Sequence, residues 1–259
     1  MLLHFYKYQG AGNDFILLDN REKKISLTRQ QIEFLCDRKF GIGADGLMLL
    51  ETIAGYDFHM VYFNSDGNES SMCGNGGRCI TAFANKVGVI KNEAKFLAVD
   101  GPHHAELKND WVSLEMKNVD TVEKGNDYFF LDTGSPHYVK FVKDIEEFPV
   151  VEEARKIRYN ERFKEKGTNV NFIEKKEDKL LVRTYERGVE NETLACGTGV
   201  TAASLVAALS GLSTEKNGCK ILTPGGELFV KFNSDGENKF NSIRLEGPAK
   251  FVFDGHIEI

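Results

Sequence analysis

The feature that most constrains this chain is a duplication. Met72-Cys-Gly-Asn-Gly-Gly-Arg-Cys-Ile-Thr-Ala-Phe-Ala84 and Ala195-Cys-Gly-Thr-Gly-Val-Thr-Ala-Ala-Ser-Leu-Val-Ala207 share one pattern, Cys-Gly-x-Gly before a run of small and apolar residues. Their cysteines, Cys73 and Cys196, lie 123 residues apart. Three further pairs keep that spacing to within a residue or so. Gly12-Asn-Asp-Phe15 answers Gly134-Ser-Pro-His137, Asn64-Ser-Asp-Gly67 answers Glu186-Arg-Gly188, and Val99-Asp-Gly-Pro102 answers Leu222-Thr-Pro-Gly225. Ordered matches at one offset mean two copies of one folding unit. A chain of 259 residues divides comfortably into two such units.

Within each copy, short β-branched and aromatic runs between turn residues predict a strand-rich unit with one long helix. The expected central helices are 76–87 and 199–210, with smaller ones near 28–37 and 152–159. Strands are expected at 3–8, 15–19, 46–51, 57–63, 95–99, 104–107 and 111–116, and at 128–131, 137–142, 169–174, 179–185, 219–223, 227–232 and 242–246. The expected fold class is α/β (α+β): two pseudo-symmetric repeats, each a curled, mostly antiparallel sheet around its central helix, with the active site in the cleft between them. The expected domains are 1–118 and 119–247, divided in the polar stretch Lys117–Gly125. The alternating segment 248–259 is expected to return and complete the first.

Composition narrows the partners. With 33 basic against 39 acidic residues and no basic run, neither nucleic acid nor an anionic membrane is expected as a partner. The start, Met1-Leu-Leu-His-Phe-Tyr-Lys-Tyr, lacks the layout of a secretory signal, and no run of 18 apolar residues occurs. Five cysteines without a Cys-x-x-Cys pair argue against a disulfide scaffold or a tetrahedral zinc site, and a reducing cytoplasm is the expected location. Gly41-Ile-Gly-Ala-Asp-Gly46 satisfies Gly-x-Gly-x-x-Gly, but a strand follows it and none precedes it, so it reads as a tight turn.

Cys73 and Cys196 carry the chemistry. A thiol acts as a base only as a thiolate, and a helix N-terminus favours that form. The backbone N–H groups exposed by the glycines make an anion site suited to a carboxylate. Two such elements facing one another would cradle a carboxylate and set one sulfur on each face of the adjacent Cα. Stereoinversion needs that arrangement: one thiolate removes the proton and the opposite thiol returns one, with no cofactor and no metal. Cys36, Cys79 and Cys219 read as buried apolar residues. His137, at the repeat position beside the cleft, reads as a polar neighbour of a thiol.

Met72-Cys-Gly-Asn-Gly-Gly-Arg-Cys79, Gly12-Asn-Asp-Phe15 and Glu186-Arg-Gly-Val-Glu-Asn-Glu-Thr-Leu-Ala-Cys-Gly-Thr-Gly199 together resemble the diaminopimelate epimerase family, over essentially the whole chain. The resemblance implies interconversion of LL- and meso-2,6-diaminopimelate on the route to lysine and to peptidoglycan precursors. It also implies no pyridoxal phosphate or metal, and a homodimer. By resemblance, Cys73 and Cys196 transfer the proton, and His137 and Glu186 tune them. Gly74, Asn75, Gly197 and Thr198 hold the reacting carboxylate. Asn13, Asn64, Asn169, Glu186 and Arg187 hold the far end of the substrate, where Arg suits a carboxylate and Glu an ammonium. Gly134-Ser-Pro-His137 departs from the Gly-Asn-Pro-His of many relatives.

Two other readings stay open on the residues. One is another two-cysteine isomerase such as a proline-type racemase, which typically has His where this chain has Asn75. The other is a non-catalytic module that binds a small anion at the helix starts, for which paired cysteines are unnecessary.

Overall fold

The computed structural model describes residues 1–70, 73–235 and 238–259. Met72, at the head of the first motif, lies outside the described residues. The chain forms two compact units, Met1–Leu114 with Gly247–Ile259, and Glu115–Glu246.

The first unit contains β1 (Leu2–Gly10), β2 (Asn13–Asp19), α1 (Arg29–Cys36), β3 (Gly46–Glu51), β4 (Phe58–Asn64), α2 (Gly74–Lys86), β5 (Glu93–Ala98), β6 (Gly101–Lys108) and β7 (Trp111–Glu115). The second contains β8 (Glu123–Lys124), β9 (Phe129–Asp132), β10 (Pro136–Phe141), α3 (Val150–Arg158), β11 (Asn169–Lys176), β12 (Lys179–Glu186), β13 (Asn191–Thr193), α4 (Gly197–Leu209), β14 (Gly218–Thr223), β15 (Gly226–Ser234) and β16 (Phe240–Pro248). The last strand, β17 (Lys250–Glu258), pairs antiparallel with β1 in the first unit.

The duplication is a duplication of topology. From β1 to β6, neighbours pair antiparallel, parallel, antiparallel, parallel, antiparallel. From β9 through β10, β11, β12 and β14 to β15 the sequence of pairings is the same. Antiparallel steps β6–β7 and β15–β16 close each series. The short β8 and β13 add to this pattern without altering it, and both are too brief to leave a periodic signal in the sequence.

Each sheet curls around its long helix, so its middle strands are covered on both faces. That is why Phe15-Ile-Leu-Leu18 reads as a continuous apolar run: all four residues are at most 1% exposed. On the outer face α1 packs Ile32 and Leu35 on Ile16, Leu18 and Leu47. In the second unit α3 sets Val150 and Ala154 against Val170, Phe172 and Tyr185. The central α4 buries Val200 through Ala207; its polar members Thr201 and Ser204 satisfy their hydroxyls on the carbonyls one turn back.

Both central helices begin two residues earlier than the sequence predicts, at Gly74 and Gly197. Glycine disfavours a helix interior, so a glycine-rich first turn reads as loop. Packing overrides that preference. A Cβ at Gly76 would lie 2.2 Å from Met48 Cε, and one at Gly199 would lie 2.4 Å from Asn171 Oδ1. The helices can reach this close to their sheets only without those side chains, and the early start makes each cysteine the N-cap.

Candidate active site

Cys73 and Cys196 cap α2 and α4 in the same extended conformation, φ −102°, ψ 128° and φ −113°, ψ 114°. Neither side chain bonds its helix as a cap. Each cysteine carbonyl accepts the first helical bond, from Gly77 at 2.7 Å and from Val200 at 2.9 Å. The first-turn N–H groups at Gly74, Asn75, Gly197 and Thr198 therefore have no intrahelical acceptor, which is the backbone arrangement an anion needs.

In the first unit the site is built on Asn13, at the head of β2. Its amide oxygen accepts from Cys73 Sγ at 3.6 Å and from Asn75 Nδ2 at 3.4 Å, while its Nδ2 donates to Asp45 at 2.5 Å. Asp45 is held in turn by Arg38, which also bonds Asp14, and Lys7 bonds Asp14 at 2.8 Å. Burial alone would raise the Asp14 carboxyl, but Arg38 and Lys7 together hold it down at about 2. This charged cluster fixes the Asn13 amide with its oxygen toward the thiol. Asn64 ends β4, in register with Gly46 at the head of β3, and its backbone closes the turn to Asn68. Its side chain bonds neither Cys73 nor Asn13. Gly46 has no room for a side chain, since a Cβ there would lie 2.6 Å from Tyr62.

In the second unit Cys196 Sγ lies 3.5 Å from Thr198 Oγ1, and Thr133 anchors the Thr198 carbonyl at 2.9 Å. His137 and Asn169 are paired neighbours on β10 and β11. Asn169 is engaged within the protein: Nδ2 donates to Ser135 Oγ and the Pro136 carbonyl, and Oδ1 accepts from the Arg187 amide at 2.8 Å. It thereby sets the backbone at Arg187 and Ser135. Glu186 ends β12 and accepts from Thr193 Oγ1 at 3.0 Å. The Arg187 side chain is exposed and reaches the Lys166 carbonyl at 2.9 Å.

His137 is fully buried. Burial pushes its imidazole down to about 3, assisted by the charge of Arg187 and opposed by Asp132, so the ring is neutral. Its Nδ1 lies 3.1 Å from Asn171 Nδ2, and its Nε2 has no partner among the described residues.

Three further residues shape these half-sites without a motif role in the sequence reading. Asn171 follows Asn169 by two positions on one strand and so shares its face, which is the signal that would have found it. Asp45 lies in the turn read from Gly41 to Gly46. Arg78 is a charged residue within the buried stretch of α2 from Gly74 to Thr81. Cys36, Cys79 and Cys219 are buried, and burial pushes the Cys36 and Cys79 thiols up to about 12. Among the described residues no group of three or more His, Cys, Asp and Glu side chains is placed to hold a metal ion.

The fold is shared with a phenazine biosynthesis protein of the PhzF family from Bacillus anthracis, at TM-score 0.73 over all of both chains, with 13% identity. Residues 5–122 and 129–252 match the family model for diaminopimelate epimerase. A diaminopimelate epimerase of Flavobacterium psychrophilum is 50% identical over 255 residues, 97% of this chain and 99% of the relative. One from Chlorobaculum tepidum is 42% identical over 259 residues, 96% of this chain and 99% of the relative. Fold, duplicated cysteine caps and relatives together define the class as an epimerase, one of the isomerases. The chain belongs to the diaminopimelate epimerase family.

Proposed function

We propose that the chain interconverts LL- and meso-2,6-diaminopimelate, in lysine and peptidoglycan precursor biosynthesis, by moving one Cα proton between Cys73 and Cys196. The observation that carries this reading is the pair of cysteine N-caps on two helices of one topology, each followed by first-turn N–H groups that have no intrahelical acceptor. One sulfur enters as thiolate and takes the Cα proton; the other, a thiol on the opposite face, gives one back. The charge that moves onto the substrate carboxylate is met by the N–H groups at Gly74, Asn75, Gly197 and Thr198. A preorganised donor of this kind contributes roughly 10²–10³-fold in rate when removal of one is measured. Asn13, Asn64, Asn169, Glu186 and Arg187 belong to the pocket for the distal carboxylate and ammonium, with His137 and Glu186 beside the thiols. No cofactor takes part in this reading.

Two features complete the reading. The family resemblance supports a homodimer, and the cysteine usage supports a cytoplasmic location. No helix among the described residues is long and apolar enough to cross a membrane.

The test is deuterium wash-in from heavy water into LL-diaminopimelate, without added cofactor, in the parent protein and in Cys73→Ala and Cys196→Ala. The parent should exchange the Cα proton and form the meso isomer. Each variant should lose epimerisation by several orders of magnitude while staying folded. Near-normal turnover by either variant would sink the two-base reading, and light scattering that returns a monomer would remove the dimer.

A further inference from the structure

Arg78 is 0% exposed, yet no described carboxylate pairs with it. Its Nη2 donates to Asn75 Oδ1 at 3.0 Å and its Nη1 to the Gly74 carbonyl at 3.3 Å, while the buried Nε has no acceptor among the described residues. A guanidinium stays protonated under such conditions, and removing one from water without a counterion is costly.

The acidic groups on the strands around α2 are committed elsewhere. Asp14 on β2 is taken by Lys7 and Arg38, and Asp19 by Arg21. Glu51 on β3 accepts from Asn20, and Asp254 on β17 bonds His4. Glu106 on β6 lies on the exposed side beside Glu93, and His103 and His104 are drawn to Asp100 and Glu93. On β1, burial raises the Tyr8 hydroxyl and keeps it neutral. The ionisable groups that do feel Arg78 are two thiols, Cys79 and Cys73. Cys79 is fully buried and stays protonated, pushed up to about 12. Cys73 is half-buried at the helix N-cap, and its neighbour Gly74 is one of the two residues that Arg78 bonds.

We propose that Arg78 is the fixed counter-charge of the Cys73 thiolate, and that through Asn75 it also sets the amide edge beside the reacting carboxylate. It is a positioning residue acting through Cys73 and Asn75, and it does not touch substrate. Arg78 is fully buried and Cys73 half-buried, so water screens their attraction less than it would at the surface. When Cys73 takes the Cα proton, the negative charge passes to the carboxylate at the same helix start, still within the field of Arg78. The bond to Asn75 Oδ1 orients that amide so that its Nδ2 faces the site, where it meets Asn13 at 3.4 Å.

This inference rests on the reading of Cys73 as a proton-transfer residue, and its test needs no turnover. In a Cys196→Ala background, the rate of Cys73 alkylation by iodoacetamide against pH, read by peptide mass mapping, gives the midpoint of thiolate formation. The parent midpoint should lie below the free-thiol value of ~8.5. Arg78→Met and Arg78→Gln should raise it by about one pH unit or more, and Arg78→Lys should keep most of the depression. With both cysteines present, the acidic limb of kcat/KM should move in parallel. Neutral variants with the parent midpoint overturn the proposal. If neither folds, a parent midpoint at or above ~8.5 overturns it. An active Cys73→Ala variant, by contrast, would remove the two-base reading whatever the midpoint.

Discussion

Asn171 donates to His137, and that bond decides which nitrogen of the imidazole carries its proton. Asn171 Oδ1 accepts from Thr184 Oγ1 at 2.9 Å, and Nδ2 faces the Tyr138 carbonyl at 3.0 Å. A reversed amide would set oxygen against oxygen at Tyr138, so the second N–H must point at His137 Nδ1, 3.1 Å away. Nδ1 is then the acceptor and Nε2 bears the proton. The buried Nε2–H has no partner among the described residues, so the neutral ring keeps one donor unused.

The first prediction concerns that neutral ring. With its pKa pushed down to about 3, His137 should show no imidazole titration by NMR between pH 8 and 5, and kcat/KM no limb near 6.5 assignable to it. The folded value lies below the unfolded one, so the unfolded state binds the extra proton first. Native stability is therefore intact above pH ~6.5 and falls by about 1.4 kcal/mol per pH unit as pH drops toward 3. A His137→Gln variant should lose this contribution to the slope of stability against pH. An unchanged slope would contradict the depressed value.

A second prediction follows from the amide. In Asn171→Asp a carboxylate replaces the donor at Nδ1, which draws the proton to Nδ1 and raises the ring pKa. Titration should reappear nearer neutrality, and kcat/KM should fall by ~10-fold or more, in line with the cost of a wrong tautomer elsewhere. Full activity with a titrating His137 would show that the tautomer is unimportant.

The helix-start glycines are not equivalent. In an ordinary helix Gly→Ala gains up to about 1 kcal/mol. At Gly76 the clash is with the flexible end of Met48, 2.2 Å away, and at Gly199 it is with the hydrogen-bonded Asn171 Oδ1, 2.4 Å away. Gly76→Ala should therefore be tolerated with a modest loss. Gly199→Ala should lower both the melting temperature and kcat/KM by clearly more. Equal effects would mean that the Asn171 network moves as readily as a methionine.

Specificity supplies the fourth prediction. The two copies differ just before the helices, Asn64-Ser-Asp-Gly67 against Glu186-Arg-Gly188, and the difference should serve the non-reacting end of the substrate. Lysine lacks the distal carboxylate and should turn over far more slowly than diaminopimelate, and DD-diaminopimelate should fail at its inverted far centre. Arg187→Met should lower kcat/KM by ~30-fold or more, about 2 kcal/mol, and erase most of the preference over lysine. Unchanged kcat/KM in that variant would place the distal carboxylate elsewhere.

Cys79 offers the internal contrast to the two capping thiols. It is 0% exposed inside α2, with its thiol pushed up to about 12 by burial. Cys79→Ala should leave kcat/KM nearly unchanged while costing about 1 kcal/mol of stability for the small cavity. A large loss of activity would implicate it in the chemistry.

The sequence by itself determined the duplication, because matched motifs at one offset survive wherever each copy must build the same sheet around the same helix. It also marked Cys73 and Cys196, since Cys-Gly-x-Gly before an apolar run is legible as a helix start in one dimension. Strands β2 and β3 were readable because runs such as Phe15–Leu18 are buried on both faces, and β4 because its burial alternates. Three things were left to the tertiary structure. The helices begin at Gly74 and Gly197, against local preference, and the sheets approach their first turns too closely for side chains at Gly76 and Gly199. The proton of His137 is assigned by Asn171 and Thr184, which meet only when β10, β11 and β12 pair. Arg78 is buried without a carboxylate only because the acids of neighbouring strands are held by other partners. A sequence names which groups are present; which of them are dry, paired or left over is settled by packing, because desolvation and hydrogen-bond geometry exist only in three dimensions.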